Sequence, residues 1–320
     1  MGLLDRIGKI VFGGGGAPAA PSYSPSPSYS DVNYTLTFSD GSSLVLYMSA
    51  KNYNLLTERS KRFFIKRCPK DKLLSMINAS RTFTELEDIA ERYYICDTSD
   101  FSDLNLNAVK NTLCAAVDVL YEYPLLRSKL CYIGSAHGYR KKMESLKNGS
   151  LETLKDFGIE YICSPRQAVA LGENMMRLAD SYIADMDSYI ALAIDAFGLF
   201  DALVLDADDY KGMKYHSTVS GLKWSEECGF HPKGCDSPES AVYHELGHLL
   251  DYLCRLYSNG MDRLFASYTA SQINRELSQY ASTNVYEFFA EAFAEAKCNP
   301  YPRPICRAAM DIFHKIYRRL

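Results

Sequence analysis

Ser237-Pro238-Glu239-Ser240-Ala241-Val242-Tyr243-His244-Glu245-Leu246-Gly247-His248-Leu249-Leu250-Asp251-Tyr252-Leu253 is the stretch on which the reading of this chain turns. Ser237 suits an N-cap and Pro238 the first helical position, so a helix begins here. Val242, Leu246, Leu249, Leu250 and Leu253 supply its apolar face. His244 and His248 are four residues apart, which on a helix means ~40° in azimuth and ~6 Å along the axis. Two imidazole nitrogens so placed can reach one ion with bonds of ~2.0–2.1 Å. Glu245 is rotated away from the line joining the rings. It is badly placed as a third ligand, but it can reach a water at the ion's open position. The same pentapeptide also arises by chance on a core helix, so a third ligand has to decide between the two readings.

A catalytic zinc takes three protein ligands and keeps one position open. The extended pattern H-E-x-x-H-x-x-G-x-x-H fails, because Asp251 and Cys254 stand where Gly and His are needed. Leu249–Arg275 contains no glutamate; the next are Glu276 and the group in Tyr286-Glu287-Phe288-Phe289-Ala290-Glu291-Ala292-Phe293-Ala294-Glu295. Glu287, Glu291 and Glu295 recur at helical spacing among Ala and Phe. One reading makes them the solvated face of an amphipathic helix. The other turns them inward, with Glu287 aimed at the metal and Glu291 accepting from a ligating histidine. Glu287 is the first choice for the ligand, Glu276 the second and Glu291 the third. Ser282, Thr283 and Asn284 are cap candidates for this helix, and an Asn284/Glu287 capping box is the structural alternative for Glu287. Tyr280, in the preceding turn, either packs as one of 24 tyrosines or donates its phenol to a developing oxyanion.

Together, His244-Glu245-Leu246-Gly247-His248, Tyr280 and the run Glu287–Phe293 resemble the gluzincin-type zinc metallopeptidases, the group that includes the catalytic domain of anthrax lethal factor. The resemblance implies Zn2+ on His244, His248 and Glu287, Glu245 as general base, Tyr280 near the oxyanion and Glu291 behind a ligating histidine. It also implies a zincin-like fold, α+β and mostly helical with a small mixed sheet, and a protein or peptide substrate. It covers roughly residues 237–297, and more weakly 106–236. Gly229-Phe230-His231-Pro232-Lys233-Gly234-Cys235 looks like segments of phage-encoded proteins of this type. Two rivals stand beside the peptidase. One is a structural or virion-associated protein whose metal site is closed by a side chain such as Asp251; the other is a helical binding module with no metal.

Outward from this centre the sequence divides into three parts. Residues 1–30 form a tail: Leu3, Leu4, Ile7, Ile10 and Val11 share one face of a short helix that could dock on a partner or a membrane, and GGGGAPAAPSYSPSPSYS (13–30) is a linker. Residues 31–100 read as a small α+β module, with a hairpin at Val32–Met48 and helices at Lys72–Ile77 and Phe83–Tyr94, the latter capped by Thr82. The rest, 101–320, reads as the metallopeptidase domain. Helices are expected at Leu106–Tyr121, Pro165–Phe197, near 260–279, at 285–297 and at 304–318, and strands at Lys129–Gly134 and Ala202–Leu205. Weaker strand signals lie in 213–230, and a strand at 213–224 would be the place for an extended substrate.

A net charge of −4 and a pI near 5.9 argue against nucleic acid as a partner. No apolar run approaches the ~20 residues of a membrane span, and Ile10-Val11-Phe12 is too short for a signal-peptide core, so a cytoplasmic or virion-associated protein is expected. The ten cysteines form no C-x-x-C and read as reduced core thiols, with Cys228/Cys235 and Cys298/Cys306 the pairs to test for a disulfide.

Overall fold

Local signals start most of the elements. In a computed structural model, which describes residues 32–37, 43–48, 68–147, 190–193, 202–205 and 213–320, β1 (Val32–Thr37) and β2 (Ser43–Met48) form an antiparallel hairpin. After α1 (Lys70–Ala79), α2 (Phe83–Arg92) opens with the expected Thr82 cap, completed by Glu85 into a capping box. Next come β3 (Thr98–Asp100) and α3 (Leu106–Glu122), which Asn105 caps by accepting from the Asn107 and Ala108 amides. Pro124 stops α3, and β4 (Tyr132–Ser135) runs directly into α4 (Ala136–Lys147). Then follow β5 (Ile190–Ala193), β6 (Ala202–Leu205) and α5 (Met213–Glu227). The quoted stretch forms α6 (Pro238–Cys254), succeeded by α7 (Met261–Ala266), α8 (Ala270–Glu276), α9 (Val285–Cys298) and α10 (Pro304–Tyr317).

The architecture is α+β, mostly helical, with one small mixed sheet in addition to the hairpin. In the order β3-β4-β6-β5 the first three strands are parallel and β5 is antiparallel to β6, so β5 lies at an edge. Among the described residues no helix is long and apolar enough to cross a membrane. The buried core runs without a break from Leu73, Ile77 and Leu86 through Val109, Leu113 and Leu120 to Leu246, Leu249, Phe289 and Phe313.

α6 is the central element. His244, Glu245, Leu246, Gly247, His248, Leu249, Leu250 and Asp251 are all buried, so this part of the helix is enclosed rather than amphipathic. α9 packs on it more extensively than any other pair of described elements do. Gly247 permits the approach: a Cβ there would stand 3.1 Å from Ala290 Cα and 3.3 Å from Phe293 Cβ. Phe293, Phe313 and Tyr317 ring Tyr123 and seat α10.

Three expectations are corrected. Residues 213–224 belong to α5, not to a strand. Ser217-Thr218-Val219-Ser220-Gly221 looks β-prone, but Leu222 and Val219, three apart, turn one helical face to the core, and Ser220 Oγ donates back to the His216 carbonyl. Ile190–Ala193, inside the expected helix 165–197, is strand β5; a short apolar run cannot be assigned by periodicity alone. The expected helix near 260–279 is two helices, because Thr269 and Gln272 form a capping box that restarts it. The described cysteines are free thiols, in line with the reading as reduced core residues, and of the pairs to test Cys235 meets Cys298 rather than Cys228. Residues 1–30, Cys163 and the rest of 165–197 lie outside the described residues.

Candidate metal centre

Asn284 starts α9 by accepting from the Tyr286 and Glu287 amides. The Glu287 side chain does not close a capping box; it points across to α6. There Glu287 Oε2 lies 3.1 Å from His244 Nε2 and 3.2 Å from His248 Nε2, and the two Nε2 atoms are 3.1 Å apart. Two segments about 40 residues apart in sequence thus bring three donor atoms to the corners of a nearly equilateral triangle. Three bonds of about 2.0–2.1 Å to one tetrahedral ion place donors about 3.3–3.4 Å apart, so the triangle fits with an adjustment of about 0.2 Å.

Electrostatics gives the same answer. Glu287 is fully buried, yet neither carboxylate oxygen has a hydrogen-bond partner, and His248 Nδ1 has none either. The approaches of the two rings to Glu287 are close contacts rather than aligned hydrogen bonds. A buried carboxylate without donors is costly, and a cation at the centre of the triangle removes that cost. Burial lowers the basicity of His244, but Glu287 and Glu291 outweigh it and hold the ring well above the ordinary histidine range. Burial likewise pushes the Glu287 carboxyl up, and the facing His248 and His244 rings more than reverse this. The site is therefore shaped for positive charge. His244, His248 and Glu287 form a buried group able to hold a metal ion, and no fourth described side chain joins it.

The remaining candidates divide clearly. Glu291, one turn beyond Glu287, is 1% exposed and sits 2.8 Å from His244 Nδ1. Burial raises its carboxyl, but His231 and His244 bring it down to about 2. Glu295, also buried, takes a bidentate ion pair from Arg303 and accepts from the Arg303 amide. The glutamate stripe is thus not a solvated face; each carboxylate has its own buried task. Glu276 is not a ligand: it pairs with Arg275 at 2.7 Å on the surface. Asp251 does not close the site, since its Oδ1 accepts from the Leu256 amide and helps α6 end at the left-handed Arg255. Glu245 lies on α6 beside the cluster, 8% exposed. The Tyr280 ring stacks on His244 with centroids 5.7 Å apart, and Phe230 stacks on its other side at 5.5 Å. Burial first, then the charges of Glu287, Glu245 and Glu291, raise the Tyr280 phenol far above its usual range.

Two contributors were not foreseen. Ser278 Oγ donates to Glu291 Oε2 at 2.7 Å, and His231 Nδ1 lies 3.2 Å from Glu291 Oε1. His231 precedes His244 by 13 residues with no helical relation to it, so spacing carried no signal. The one hint was its loop, where Gly229 and Gly234 adopt positive φ and Gly234 lies against the C-terminal end of α9. Comparison with family models, with curated proteins and with solved structures gives no match for this chain.

Proposed function

We propose that the chain is a zinc-dependent endopeptidase with a zincin-like fold. The observation that carries the proposal is the His244/His248/Glu287 triangle, with Glu245 one residue from a ligand and no fourth described protein donor. Two imidazoles and one carboxylate suit Zn2+ better than the oxygen-preferring Mg2+ or Ca2+. A three-ligand site belongs to catalysis, where a structural site would be closed by a fourth residue. The arrangement of α6, α9 and a small sheet with an antiparallel edge strand supports the zincin-like reading.

When bound, the ion supplies Lewis acidity, polarising a scissile carbonyl and acidifying a water. With such a water in place, Glu245 would accept its proton and return it to the leaving amine. Tyr280 stays protonated at neutral pH, because burial and three nearby carboxylates oppose its ionisation. Its hydroxyl is thus available to donate to the oxygen on which negative charge develops. His244 is fixed by Glu291 from behind, which limits the motion of the cluster during the reaction. The substrate's place shifts from the residues of α5 to β5. That strand neighbours α6, and among the described residues it pairs only with β6. Its other edge offers main-chain groups to an extended peptide.

The test is metal analysis of the purified chain combined with a peptide-library digest, with and without a chelator. About one zinc per chain is expected, with cleavage that stops on chelation and returns on adding zinc. A chain that binds zinc but cleaves no peptide would leave the metal site and overturn the peptidase.

A further inference from the structure

We infer that His231 is a positioning residue of the metal centre, holding the Glu291 carboxylate in the orientation that presents His244 to the ion. This rests on the metal-site reading above and adds the loop 229–235 to it.

Glu291 is buried, and three side chains converge on it: Ser278 Oγ at 2.7 Å from Oε2, His244 Nδ1 at 2.8 Å from Oε1, and His231 Nδ1 at 3.2 Å from Oε1 and 3.4 Å from Oε2. A carboxylate turns readily about its last torsion, which is broad and two-fold. Ser278 pins one oxygen. His231, lying across both, fixes the plane and so the place of Oε1 behind His244. An ionised carboxylate only accepts, so each ring facing it carries its proton on Nδ1. In the neutral ring this puts the lone pair on His244 Nε2, toward the triangle, which is the tautomer a ligand requires.

The position of His231 is itself built. Gly229 and Phe230 carbonyls accept from the Gln279 and Tyr280 amides at 2.9 and 3.1 Å. The His231 ring meets Tyr280 edge-on at 5.8 Å. Ser278 Oγ also accepts from the Ala281 amide, so one turn supplies Ser278, Tyr280 and the anchor for His231.

The experiment is a zinc competition titration against a chromophoric chelator, using the full chain and the variants His231→Phe, His231→Asn, Glu291→Gln and the His231→Phe/Glu291→Gln double. His231→Phe is expected to weaken zinc binding about 10- to 100-fold. His231→Asn, whose amide nitrogen can occupy the place of ring Nδ1, is expected to recover most of that loss. In the Glu291→Gln background the Phe change is expected to add less than about 3-fold, because the two residues act through one contact. The visible bands of the Co(II)-substituted chain should move in the Phe variant and return in the Asn variant. Wild-type affinity in His231→Phe, no recovery in His231→Asn, or an undiminished loss beside Glu291→Gln each overturns the positioning role. If the Phe variant fails to fold, His231→Gln, which displaces the donor by one bond, serves instead, and wild-type affinity in it is equally decisive. A wild-type chain that takes up no zinc overturns the metal site itself, a result distinct from all of these.

Discussion

Glu245 and His248 sit on the same helix, but the proposal gives them different roles, and substitution separates them. In the proposed reaction Glu245 would carry the proton, and it is outside the triangle. Glu245→Gln is therefore expected to keep about one zinc per chain while peptide hydrolysis falls about 10²- to 10⁴-fold. His248→Ala removes a corner of the triangle and is expected to lose zinc and hydrolysis together. Metal content and turnover measured on the same preparations check both; a Glu245→Gln chain as active as wild type would sink the role given to that residue. At this scale the sequence was informative where chemistry and helical spacing coincide, as in His244, His248 and Glu287. It was silent on His231 and Ser278, because contacts between a loop and a helix 60 and 13 residues away follow no period.

Between elements, the spacing of α6 and α9 is the quantity that matters, and Gly247 sets it. Gly247→Ala adds a methyl 3.1 Å from the Ala290 Cα, so the helices must separate by a few tenths of an ångström. Alanine also favours a helix over glycine by about 1 kcal/mol, which offsets the packing loss. The expected outcome is a melting temperature close to wild type with zinc affinity reduced several-fold, read by calorimetry and competition titration. A second brace joins α9 to α3, where Lys297 pairs with Asp118 and with Glu122, the latter at 2.8 Å. Burial raises the Asp118 carboxyl, but Lys297 and Lys70 outweigh it and leave it below its usual value; burial lowers Lys297, but Asp118 and Glu122 leave it raised. A depressed carboxyl contributes stability that is present above its unfolded pKa of about 3.9 and lost as pH falls through the folded value. The raised Lys297 contributes stability that is present below about 10.4 and lost as pH rises through its folded value. Asp118→Asn is expected to cost about 1–2 kcal/mol between these limits and less below pH about 4, seen in denaturant melts across pH. Element starts were legible where a cap residue or a proline at the first helical position announced them, as at Thr82 and Pro238. The sequence misled where propensity and burial disagree: α5 has β-branched residues on a helix, and β5 is too short for its period to be read.

For the molecule as a whole, an ion held by the triangle would contribute to the fold's stability. The triangle closes only when α6 and α9 are packed, so an ion held there binds the native chain and not the unfolded one. Zinc at 100 times its dissociation constant is expected to add about 2.7 kcal/mol. Thermal melts should accordingly rise on adding zinc and fall on adding a chelator, while Glu287→Ala should show neither response. A wild-type melt indifferent to both reagents would argue against the site. Many of the helices were readable from caps and apolar periods, whereas the small mixed sheet was expected from the resemblance. The order β3-β4-β6-β5 was not readable, because strand neighbours are chosen by packing across long connections. Finally, the bonds from Gln279 and Tyr280 to the loop before α6 give this connection a hidden rigidity. In deuterated water those two amides should exchange at rates closer to those of the enclosed helices than to those of a surface turn, and His231→Phe should not release them, since only backbone atoms hold them.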